Sequence, residues 1–156
     1  MADITHGVWI KDGKAVDTVY QGGIKVYGRN LVTGTSNKLK TVTASGWGQS
    51  PANKASGTYG IGRYYASAYI ENTTPVVMTI YVYVNGNSGN FSGSPIQVGQ
   101  SGIASRTFDI LDGQSLSSIW VGFAGSQTNS CTYKYKEVMI TRTPSPWTPA
   151  PEDVLN

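Results

Sequence analysis

The stretch Val76-Val77-Met78-Thr79-Ile80-Tyr81-Val82-Tyr83-Val84-Asn85-Gly86 decides the fold. Val76, Met78, Ile80, Val82 and Val84 fall on one face, and all are apolar. Val77, Thr79, Tyr81, Tyr83 and Asn85 fall on the other. A period of two marks a β-strand with one buried face. The apolar face demands a core. The opposite face carries two tyrosines one pleat repeat apart. They are either a binding surface or covered by the N-terminal hairpins or a neighbouring protein.

Strands of the same kind extend outward from this one. Arg63 through Ile70 turns Tyr64, Ala66, Ala68 and Ile70 inward and leaves Tyr65, Ser67 and Tyr69 outward. Asn72-Thr73-Thr74-Pro75 joins it to the first stretch. Phe91 to Gly102 is a Gly- and Ser-rich meander. Ala104 to Leu111 is a strand ended by Asp112-Gly113. Leu116 to Phe123 points Ile119, Val121 and Phe123 inward, so parity puts Trp120 outward. Gly125 to Asn129 is a turn, and Thr132 to Thr143 is the last long strand, anchored by Val138 and Ile140. Upstream, Asn30–Thr35 and Lys38–Ala44 are short strands. No window holds a helical apolar period.

About eight strands with turn-type connections predict an all-β fold, an antiparallel jelly-roll β-sandwich. In such a fold the strands at 76–85 and 117–124 share a sheet, so Tyr81, Tyr83 and Trp120 share one outward surface. With the strand at 39–45 assigned to that sheet as well, Trp47 sits at the rim of the surface. The segment Ser45 to Gly62, with Trp47, Gln49 and Tyr59, is long for a loop in a compact domain, and such loops are often functional. The alternative is a connector whose Trp47 caps the core.

At either end the composition changes. Residues 1–28 are a small β segment with hairpin signals at Asp12-Gly13 and Gln21-Gly22-Gly23. It is either an add-on or the first strand of the main domain. Residues 29–143 are the sandwich. Residues 144–156 begin with a proline at every second or third position and are an extended exit linker carrying Trp147.

The chain has 156 residues, a single domain's worth, and only 13% are charged. The formal charge of +3 comes from Lys and Arg scattered singly, so the basic stripe of a nucleic-acid binder is missing. One cysteine, Cys131, and one histidine, His6, argue against an intrachain disulfide, a cysteine zinc site or a histidine-dependent triad. No long apolar run or signal-peptide pattern marks a membrane partner. Glu71, Asp109, Asp112 and Glu137 are the acids of the domain body. None pairs with another in the pattern a glycosidase needs, so no catalysis is expected. A calcium held by Asp112, Asn72 or backbone carbonyls has no ligand spacing to support it. No cofactor is expected.

Tyr27-Gly28-Arg29-Asn30-Leu31-Val32-Thr33-Gly34-Thr35 resembles the opening of carbohydrate-binding-like modules in phage tail proteins. Lys136-Glu137-Val138-Met139-Ile140-Thr141 with Ser145-Pro146-Trp147-Thr148-Pro149-Ala150-Pro151-Glu152-Asp153 resembles their last strand and exit linker. The resemblance covers roughly residues 27 to 153, with Met-Ile-Thr where Lys-Leu-Glu is frequent. The segment Val19 to Tyr27 is similar to short β pieces of distal tail proteins. Modules of this kind occur in distal tail proteins, tail-associated lysins and receptor-binding proteins of phages of Gram-positive bacteria.

The resemblance implies a jelly roll that adheres to host cell-wall saccharide. The implied place is the virion, at the tail tip or baseplate, with the parent tail protein and neighbouring tail subunits as partners. It supplies no ligand residues, so the expected site comes from parity and composition. Trp47, Tyr81, Tyr83 and Trp120 would stack on sugar rings, with Tyr59 from the long loop beside them. Arg63, Gln49 and Asn85 would supply hydrogen bonds. A structural tail module without sugar binding is the competing expectation.

Overall fold

The computed structural model describes residues 3–5, 7–21 and 23–155. His6 and the middle glycine of the second hairpin signal, Gly22, lie outside them. The amino-terminal part holds β1 (Asp3–Thr5), β2 (Val8–Lys11), β3 (Lys14–Ala15), β4 (Thr18–Gln21) and β5 (Ile24–Gly28). Next come β6 (Lys40–Gly46), β7 (Asn53–Lys54), β8 (Gly62–Glu71), β9 (Met78–Asn85) and β10 (Phe91–Ser92). The series closes with β11 (Ser101–Ile110), β12 (Ser115–Phe123), β13 (Gln127–Thr141) and one helical turn, α1 (Pro151–Val154). The fold is all-β, and every strand pairing among the described residues is antiparallel.

Two four-stranded sheets, in the orders β10-β9-β12-β7 and β11-β8-β13-β6, enclose the core. Met78, Ile80, Val82 and Val84 of β9 are fully buried, joined from β12 by Ile119, Val121 and Phe123. The other sheet contributes Tyr64, Ala66, Ala68 and Ile70 from β8, with Phe108 and Ile110 from β11. Period-two alternation is thus obeyed wherever a strand is unbroken.

It is broken in β13, which runs from Gln127 and so takes in part of the expected turn. Tyr133 and Tyr135 face the core at odd positions, whereas Val138 and Ile140 do so at even ones. A register shift between Lys136 and Met139 changes the parity. Such a bulge inserts an extra residue, and Glu137 takes a left-handed φ of 56° there while its N–H donates to the Ser36 carbonyl at 2.8 Å.

Asn30–Thr35 forms no strand beyond a single bridge from Val32 to Ala55. It is organised by Asn30, which is fully buried. The Asn30 amide donates to the carbonyls of Val138 and Thr148, both at 3.1 Å. Its oxygen accepts from the N–H groups of Val32 and Ile140, both at 3.2 Å. Asn30 therefore ties the start of the sandwich to its last strand and to the Pro-rich tail.

The tail runs back along the domain. The Trp147 indole N–H donates to the Val138 carbonyl at 3.2 Å, Ala150 is buried, and Glu152 pairs with Arg29. In the amino-terminal part, Asp12 and Gly13 both have positive φ, 52° and 74°, as a two-residue hairpin turn requires.

Candidate functional site

Trp120 and Tyr81 are direct cross-strand partners on β12 and β9. Parity sends both to the outer face of the sheet, where their ring centroids lie 6.1 Å apart at 26°. A near-parallel pair at this distance contributes about 0.5–1.5 kcal/mol beyond its buried area. The Tyr81 hydroxyl donates to the Phe123 carbonyl at 2.6 Å. Burial pushes the Tyr81 phenol up from its ordinary pKa. The Tyr81 hydroxyl is therefore engaged within the fold.

Trp47 reaches this face by a route different from the one expected. The strand expected at 39–45 is β6, which belongs to the opposite sheet because it pairs with β13, Thr43 opposite Thr132. Beyond β6 the chain crosses to the edge of β12 through Gly46 and Gly48, with φ of 62° and 61°. There the Phe123 N–H donates to the Trp47 carbonyl at 2.8 Å and the Ser50 N–H to the Val121 carbonyl at 2.9 Å. The Ser50 hydroxyl accepts from the Val121 N–H, also at 2.9 Å, and β7 completes the edge opposite Ile119 and Ser118. Half of the presumed loop is therefore an irregular edge strand. It holds the Trp47 backbone in place while leaving the residue 55% exposed.

A glycine makes room for this packing. A Cβ at Gly122 would lie 2.9 Å from the Trp47 carbonyl oxygen and 3.3 Å from Cε2 of Tyr81. Any larger side chain between them would force the two aromatic residues apart.

Together Trp47, Gln49, Tyr81, Asn90 and Trp120 line an open pocket of about 360 Å³, at the small end of ligand-binding cavities, about 300–1,000 Å³. Four of the eight residues expected at the site meet here. Asn90, directly before β10, is a lining residue that the strand pattern does not point to.

The other four lie elsewhere. Tyr83 shares the outer face with Tyr81 and is 40% exposed, but it stands one pleat repeat farther along, opposite Ser118 and outside the pocket. Asn85 ends β9 and donates to the Ser115 hydroxyl at 3.2 Å. Arg63 is in the other sheet, where it is the cross-strand partner of Asp109 and pairs with it at 2.9 Å. The pair raises the Arg63 pKa and lowers that of Asp109. Tyr59 packs on the core, shares a 2.9 Å hydrogen bond with Ser56, and borders a small hollow with Arg29 and Arg142. Arg63, Asn85 and Tyr59 thus lie outside this pocket, each held by neighbours away from the Trp47 edge.

A second hollow, of about 390 Å³, lies where the tail crosses the outer face of β8, among Tyr65, Tyr69, Ile103, Glu137, Met139 and Trp147. It contains none of the expected site residues, and its Glu137 pairs with Lys136 at 3.4 Å. Asn72 is engaged throughout: its amide donates to Val76 and Ile96 carbonyls at 2.8 and 3.0 Å, and its oxygen accepts from the Thr74 N–H at 3.0 Å. Among the described residues no three His, Cys, Asp or Glu side chains gather as a metal site, and no helix is long and apolar enough to cross a membrane.

Fold and site together define an all-β antiparallel sandwich with an uncharged aromatic pocket on one sheet. No family model matches the chain, and no curated protein matches it. Among solved structures it is similar to the tripod (BppUct-A-L) from the baseplate of bacteriophage Tuc2009, with 16% sequence identity and a TM-score of 0.48. The match covers 80% of this chain and 59% of the other, so this chain spans less than two thirds of that protein's length.

Proposed function

We propose that the chain is a non-catalytic carbohydrate-binding module of a phage tail, adhering to host cell-wall saccharide through Trp47, Tyr81 and Trp120. The observation that carries this reading is the convergence of two tryptophans and a tyrosine with two side-chain amides in one pocket. A pyranose presents a face of weakly positive C–H groups, and an aromatic ring presents a negative face. The Tyr81–Trp120 pair stands on paired strands and the Trp47 backbone is bonded to β12, so little freedom is lost on binding.

Chain order through β6–β13 supports the jelly-roll assignment. The strands fall into sheets ordered β11-β8-β13-β6 and β10-β9-β12-β7, an order that suits an eight-stranded jelly roll. The resemblance of residues 27–35 and 136–153 to phage tail modules supports a virion location at the tail tip or baseplate. The partners on this reading are the parent tail protein and neighbouring tail subunits.

A fluorescent fusion of the chain tests the proposal on a panel of Gram-positive cells. The wild type labels its host, and the Trp120→Ala/Tyr81→Ala double variant, folded by circular dichroism, does not. Undiminished labelling by the double variant removes the site. Absence of labelling by the wild type across the panel favours a structural tail module.

A further inference from the structure

We infer that the pocket takes an uncharged pyranose unit, neither a phosphate-bearing polyol nor a quaternary ammonium substituent. The inference rests on the sugar-binding reading above and adds the chemical class of the ligand.

The lining sets the class. Trp47, Gln49, Tyr81, Asn90 and Trp120 are all uncharged. The hydroxyl of Tyr81 is already engaged with the Phe123 carbonyl, so it is not free to serve a ligand as a donor. The polar groups left to the ligand are the amides of Gln49 and Asn90 and the indole N–H groups of Trp47 and Trp120. Each amide presents both donors and an acceptor, and each indole a donor only.

This mixture suits hydroxyl groups, which donate and accept at once. A phosphate only accepts. The lining offers its charge no cation, only neutral N–H donors. A quaternary ammonium would be drawn to the tryptophan faces. It has no hydrogen to donate and no lone pair to accept, so it would gain nothing from either amide, both of which are exposed. Only a neutral ring with hydroxyl or acetamido groups uses the aromatic faces and the amides together.

The cations of the chain lie outside the lining. Arg63 is bound to Asp109, Lys136 to Glu137, and Arg29 to Glu152 and Asp17. Lys54, exposed on β7 opposite Ser118, is a cation on the same outer face, but it too stands outside the lining.

The test is a titration of the full chain followed by tryptophan indole N–H resonances. The probes are methyl glycosides of neutral hexoses and N-acetylhexosamines, sn-glycerol 3-phosphate, and choline chloride. The expected result is a saturable shift of the Trp47 and Trp120 signals with at least one neutral glycoside and none with the other two probes. Gln49→Ala and Asn90→Ala each weaken that glycoside about tenfold. Binding of that glycoside changes less than about twofold between about 0.05 and 0.5 M salt, because the ligand carries no charge to be screened.

A Trp120 response to glycerol phosphate or choline with silent glycosides, or steep salt weakening, overturns the inference and leaves sugar-wall adhesion standing. Silence toward every small probe also counts against it. Wall binding that Trp120→Ala leaves intact overturns the site itself.

Discussion

Gly122 separates Trp47 from Tyr81 by the width of a bare backbone: a Cβ there would approach the Trp47 carbonyl oxygen to 2.9 Å and the Tyr81 ring to 3.3 Å. The pocket thus depends on a residue that contributes no side chain to it. Gly122→Ala is expected to destabilise the domain by about 1–3 kcal/mol through overpacking. It should also displace Trp47 and abolish wall binding. Urea denaturation and cell labelling measure the two effects separately.

Tyr81 combines a ring that faces the pocket with a hydroxyl that serves the fold. Tyr81→Phe removes the 2.6 Å bond to the Phe123 carbonyl and should cost about 1 kcal/mol of stability. Saccharide affinity should be unchanged, since the ring face remains. A large loss of affinity in Tyr81→Phe would mean that the hydroxyl contacts the ligand directly.

Asn30 links three separate parts of the chain through one buried amide. Asn30→Ala leaves buried backbone groups of Val32, Val138 and Ile140 without that partner, and is expected to cost about 3 kcal/mol or more. Thermal unfolding reads this directly. Proteolysis within 144–150 should accelerate in the same variant, because the Thr148 carbonyl loses its tie.

Much of this architecture is legible in the sequence, and the exceptions have physical causes. Alternation in 76–85 and 118–123 places Tyr81 and Trp120 on one face, because both runs are buried on the other side and keep their parity there, the register shift of β12 falling earlier, between Leu116 and Ser118. The bulge at Glu137 is invisible to a period-two pattern, since it shifts the register without breaking the apolar content. Trp47 was expected on the correct face through the wrong strand. The crossing from β6 to the β12 edge is made by Gly46 and Gly48 and by backbone bonds to Phe123 and Val121, which composition does not reveal. Arg63 had hydrogen-bonding capacity but not position, and its partner Asp109 emerges only from the β8–β11 register.

Alkaline pH should unfold the domain through its buried tyrosines. The Tyr133 hydroxyl donates to the Gly48 carbonyl at 2.6 Å, and burial, with Tyr135 beside it, pushes its pKa well above the ordinary 10.0. Burial also raises Tyr64, Tyr81 and Tyr135. Unfolded tyrosines release protons near pH 10 while the folded ones retain them. This stabilisation is complete below about pH 10 and is lost as pH rises beyond it. Melting temperature should fall steeply above about pH 10, with a shallower slope in Tyr133→Phe.

The four tryptophans permit the most direct measurement. Trp47 and Trp120 line the pocket, whereas Trp147 is bonded to the Val138 carbonyl beside the other sheet and Trp9 lies in β2. In a titration with solubilised host-wall polysaccharide, followed by indole N–H resonances, Trp47 and Trp120 should shift together and saturate while Trp9 and Trp147 stay fixed. Stationary Trp47 and Trp120 signals, or a response confined to Trp147, would contradict the assignment of the saccharide to this pocket.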